Sequence, residues 1–116
     1  MWLCLSDGFL SIVDKAENPD CLLVRARREG DIERYFPGAK VKKTPGNDYL
    51  FRAEISRAAV ADRIADQVRG IRYSNFKDSV KNRPLHDAFA RVWGIMSGLQ
   101  PIAPFARGRA QKRLPL

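Results

Sequence analysis

A chain of 116 residues, 45% of them hydrophobic, can build one self-supporting core but not two. It has no run of eighteen apolar residues to span a membrane, and its apolar start, MWLCLSDGFLSIV, lacks a basic leader and is broken by Ser6, Asp7 and Gly8. A cytoplasmic protein is therefore expected, and the net charge of +8 favours acidic or polyanionic partners.

Met1–Leu5 and Phe9–Val13 read as strands around the Ser6-Asp7-Gly8 turn. Cys21–Arg28 alternates, with Leu22, Val24 and Ala26 on one face and Leu23, Arg25 and Arg27 on the other. After Gly30, Asp31 is placed as the N-cap of a short helix, Ile32–Phe36, which Pro37-Gly38 stops. Ala39–Lys43 and Asp48–Ser56 flank Thr44-Pro45-Gly46-Asn47 and predict a hairpin, with Tyr49, Phe51, Ala53 and Ile55 inward.

Ser56 is expected to cap a helix over Arg57–Arg69, with Val60, Ile64 and Val68 as its apolar stripe and Gly70 as a left-handed stop. Ser74 or Asn75 should cap a brief helix carrying Phe76 and Val80. Asn82-Arg83-Pro84 opens the last helix. There Leu85, Phe89, Val92, Met96 and Leu99 recur at helical spacing, Trp93 widens the stripe, and Asp87 is read as a first-turn acid paired with Arg91. This stripe is expected to be buried against the sheet beside Val60, Ile64 and Val68.

The order β-β-β-α-β-β-α-α-α implies an α+β fold, a mostly antiparallel sheet of about five strands with two longer helices on one face. Residues 1–100 form the single globular domain. Pro101 and Pro104 end the last helix, and residues 101–116 carry Arg107, Arg109, Lys112 and Arg113 with no acid and two further breakers in Gly108 and Pro115, so they read as a mobile basic tail.

The blocks LLVRARREGDIERYFPGA, DYLFRA, GIRYSNFKDSV and LHDAFARVW resemble those of a group of small stand-alone bacterial single-domain proteins. The resemblance covers about residues 1–98 and implies an independent domain; it implies no activity.

No cofactor is expected, because the chain has neither GxxxxGK[ST] nor GxGxxG after a strand. Cys4 and Cys21, each beside leucines, read as reduced core thiols, and with one histidine they make no metal cage. His86-Asp87 invites acid–base chemistry, but helix neighbours point about 100° apart, so Asp87 is not expected to orient the ring. Asp78 or Ser79, across the Lys81–Pro84 turn, are the other candidate partners of His86. No nucleophile elbow accompanies it, so no catalytic residue is assigned.

The cations are the stronger signal. Arg25, Arg27 and Arg52 should share an outward sheet face. Arg69, Arg72, Tyr73, Asn75, Lys77, Lys81, Arg83 and His86 surround the turn between the helices, where interleaved rings and cations suit nucleic acid. A small basic chain without a catalytic motif points to a non-enzymatic protein that occupies a nucleoprotein or nucleic-acid-handling partner. Phage and mobile-element inhibitors such as anti-CRISPR proteins act in this way. Direct low-specificity nucleic-acid binding and a small hydrolase or transferase using His86 are the alternatives.

Overall fold

A computed structural model describes residues 1–101. The elements follow the expected order: β1 (Trp2–Leu5), β2 (Gly8–Val13), β3 (Cys21–Ala26), α1 (Asp31–Tyr35), β4 (Lys42–Lys43), β5 (Phe51–Ser56), α2 (Arg57–Arg69), α3 (Phe76–Ser79) and α4 (Arg83–Ser97). The fold is α+β. The five strands form one antiparallel sheet in the order β1-β2-β3-β5-β4. No described helix is long and apolar enough to cross a membrane. The expected mobile tail lies, from residue 102 onward, outside the described residues.

The alternation read along β3 holds, and it sorts the sheet into two unlike faces. In register, Ile12 meets Val24, Val24 meets Ala53 and Ala26 meets Phe51. These side chains, with Leu10, are buried against Ile32, Tyr35 and Phe36 around α1 and Val60 of α2. The other parity carries Ser11, Arg25 and Arg52 across the same strands.

The helices do not share a face. Phe9, the neighbour of Leu10 in β2, points to the opposite side and meets Phe89 of α4 at 6.4 Å between ring centroids. Val80, Leu85 and Phe89, with Phe9 and Phe76, make a second and smaller cluster there. The expected buried stripe of α4 therefore fails past its second turn. Val92 is 46% exposed, Met96 57% and Leu99 76%, and Trp93 is exposed with them. Spacing puts these residues on one side of a helix, but only contact with another element buries that side. About two turns of α4, from Ala90 to Ser97, extend beyond the small aromatic cluster that anchors it. Val68 on α2 is likewise exposed.

The caps explain the helix boundaries. Ser56, Asn75 and Asn82 each accept a backbone N–H from three residues on, satisfying a donor that the first turn cannot. Two expectations are corrected. Gly70 ends α2 with φ −85°, so it needs no left-handed conformation. Asp31 is not a cap: Gly30 holds that position at φ +92°, a region that favours glycine, and Asp31 starts α1 as a buried carboxylate.

Asp31 is the polar centre of the fold. It is 1% exposed and accepts hydrogen bonds from Phe9 N, Arg28 Nε and Nη2, and Arg34 Nη1, at 2.7–3.2 Å. Arg28 also donates to Asp7 O and to Asn82 Oδ1, the cap of α4. One carboxylate thus ties the β1–β2 turn, the end of β3 and α1 together, and through Arg28 reaches the start of α4. Gly8 is small for this reason. A Cβ there would lie 3.1 Å from Tyr35 Cε2 and 3.2 Å from Asp31 Cγ.

Candidate anion-binding face

The first basic group assembles as the alternation predicts. Ser11, Arg25 and Arg52 lie side by side across β2, β3 and β5, and Lys42 of β4 continues the row beyond Arg52. Two arginines are therefore directly opposed, a like-charge arrangement that destabilises a sheet unless something neutralises it. Arg25 Nη2 donates to Ser11 Oγ at 2.7 Å, and Ser11 is fully buried. Arg52 Nη2 reaches Asp48 Oδ1 at 3.4 Å, a long contact to an exposed carboxylate. The Nε atoms of Arg25 and Arg52 are both buried without a hydrogen-bond partner among the described residues. An incoming anion would therefore meet the outer Nη groups, not the covered Nε atoms.

Tyr49 shapes this site in a way that alternation misses. It is expected beside Phe51 in the core. Instead the chain leaves the strand before residue 51, and Tyr49 turns to the opposite face. There it is 4% exposed, with the Arg25 and Arg27 guanidiniums 4.5 and 4.2 Å from its ring centroid. A ring face attracts a cation, so Tyr49 holds both guanidiniums in place. Arg27 also donates to Asp48 O. Proximity to Asn47-Asp48, where the turn chemistry breaks the period, is the one sequence signal that could have predicted the departure.

The second basic group does not form one patch. Arg69 pairs with Asp66 at 3.4 Å, and Arg72 turns back to the carbonyls of Arg69 and Ile71. Tyr73 packs edge-on to Phe76, and Asn75 is spent on the α3 cap. Lys77 lies 4.2 Å over the Trp93 ring. Lys77, Lys81, Arg83 and His86, with Asp78, line a separate shallow depression of about 400 Å³. Lys81 there donates to Asp78 O.

The acid–base constellation is only half assembled: Asp78 lines the same depression as His86, but Ser79 does not join them. The Ser79 hydroxyl is engaged with Ser6 Oγ at 2.7 Å and with Phe76 O, away from His86. His86 Nδ1 instead lies 3.3 Å from Asp87 Oδ1, although the residues are adjacent. Asp87 is past the first turn of α4 and has no ion pair with Arg91 among the described residues, which corrects the expected pairing. The cysteines are free but not core residues: Cys4 is exposed and Cys21 half-buried.

Searches of family models, curated proteins and solved structures find nothing that matches this chain.

Proposed function

We propose that the chain is a non-enzymatic binding module. Its Arg25–Arg27–Arg52–Lys42 face takes an anionic surface of a nucleoprotein or of a protein that handles nucleic acid. The observation that carries the reading is the opposed Arg25–Arg52 pair. Two half-buried guanidiniums side by side repel each other, and a bound carboxylate or phosphate would relieve that repulsion while gaining charge-assisted hydrogen bonds. An inhibitor carried by a phage or mobile element, which acts by covering such a surface, fits the same chemistry.

Direct nucleic-acid binding is the second reading, and Tyr49 limits its form. The ring lies beneath two guanidiniums and offers no platform to a base, so contact would be to phosphates, with little sequence preference.

A pull-down from lysate with the full chain, with and without nuclease, separates the two. A protein captured in both conditions, and lost with Arg25→Ala/Arg52→Ala, supports the first reading. Capture that nuclease abolishes supports the second, and its affinity should then fall with salt at a log–log slope of up to about 3–4 for the four cations. Capture indifferent to the double substitution would overturn both.

A further inference from the structure

The geometry points to a second binding site, a groove along the open edge of β1 that takes an extended, acid-flanked apolar segment of a partner protein as an added strand. It lies at the edge of the sheet on the side that α1 and α2 cover, and does not depend on the cationic face described above.

β1 is an edge strand. Met1 and Ile12 exchange both backbone hydrogen bonds, each at 2.9 Å. In an antiparallel ladder bonded pairs alternate, so Leu3–Leu10 and Leu5–Gly8 are the next bonded pairs. The N–H and C=O groups of Trp2 and Cys4 therefore point away from the sheet. Edge strands are normally guarded by a lysine, a proline or a bulge. Trp2–Leu5 has none of these.

A groove of about 680 Å³ runs beside this edge, within the size range of ligand clefts. It exists because α2 packs on the sheet through Val60 but leaves Val68 uncovered, and because residues 70–73 pass β1 without pairing with it. Leu3, Leu5 and Ile64 give it an apolar floor, and Val68, Ile71 and Tyr73 an apolar far wall. Open backbone groups beside apolar pockets are the two components of recognition by strand addition: the backbone supplies affinity and the pockets read alternate side chains.

Charge selects the occupant. Arg63 and Arg72 line the groove, and neither has a carboxylate partner among the described residues. The one acid there, Asp66, is already shared with Arg69. A second copy would bring another cationic rim from its own Arg63 and Arg72, so self-pairing is disfavoured. A partner segment with apolar residues at alternate positions and Asp or Glu at its flanks satisfies both the floor and the rim.

The test is selection of random peptides about ten residues long, displayed as a library, against the full chain. Enrichment of alternating apolar sequences with acidic flanks is expected, with slowed amide exchange at Trp2 and Cys4 on binding. Cys4→Pro removes only an outward N–H, which an edge strand tolerates, and should weaken the selected peptides by at least about tenfold. Val68→Glu, at a 62% exposed position, places a carboxylate on the rim and should do the same. If Cys4→Pro fails to fold, Val68→Glu and the exchange data decide. Failure to enrich any peptide, basic flanks, or peptides indifferent to Val68→Glu would overturn the proposal. So would protection of Trp2 and Cys4 that grows with protein concentration alone, since a second copy would then be the occupant.

Discussion

Asp31→Ala tests whether the buried carboxylate holds the two halves of the fold together. The substitution removes hydrogen bonds to Arg28 and Arg34 and leaves the Phe9 N–H without its acceptor. Breaking a buried pair from one side costs about 3–5 kcal/mol when the partner stays buried and uncompensated. Here the arginine side chains are 35% and 42% exposed, so water can recover part of their solvation. The Phe9 amide has less access. A cost of about 2–4 kcal/mol follows, a large share of the ~5–15 kcal/mol typical of a domain. In a domain of this size each kcal/mol lowers Tm by about 4–8 °C, so thermal denaturation should show a fall of at least about 8 °C. Asp31→Asn keeps an acceptor for Phe9 but loses the charge, and should fall between the two. Because Arg28 also holds Asn82, hydrogen exchange in the first turn of α4 should rise with Asp31→Ala. A loss under about 1 kcal/mol would refute the reasoning, since it would mean that the arginines are as well placed without the carboxylate as with it.

Phe89→Ala should cost roughly 3 kcal/mol, at the low end for a buried aromatic because its cluster is small, whereas Met96→Ala should cost under about 1 kcal/mol; urea titrations of both variants check this. Arg52→Met removes one of two opposed charges and an unpartnered buried Nε, so it should raise stability by up to about 1 kcal/mol while weakening polyanion binding, read by denaturation and by a salt titration. Gly8→Ala should destabilise by about 1–3 kcal/mol, since neither the Tyr35 ring nor Asp31 can yield, and thermal melts read it directly. Burial pushes the Tyr35 phenol above its usual 10, partly opposed by the Asp7 N–H that it accepts. A raised folded value stabilises below the unfolded value and is lost as pH climbs through the folded one, so stability should fall above about pH 10, and Tyr35→Phe should flatten that fall in alkaline denaturation.

What the sequence determined by itself is whatever depends on near neighbours in the chain. Strand parity in Cys21–Ala26 placed Val24 inward and Arg25 outward, because successive side chains must point to opposite faces. Ser56 and Asn82 announced helix starts because their side chains satisfy donors three residues away. From such rules the element order and the Arg25/Arg27/Arg52 face could be read, since hydrogen-bonded strands of known parity align their outward residues. Tertiary structure decided everything that needs a distant partner. Val92 and Met96 have the spacing of core residues, yet among the described residues no element packs over them enough to bury them. Asp31 has the chemistry of a cap, but Arg28, Arg34 and Phe9 converge on it and make it the buried centre. The edge groove is visible in no local pattern. It arises where α2 departs from the sheet and no described strand pairs with the outer edge of β1, and both are properties of the packed molecule. Local rules specify which way a side chain points; only the assembled fold specifies what it meets.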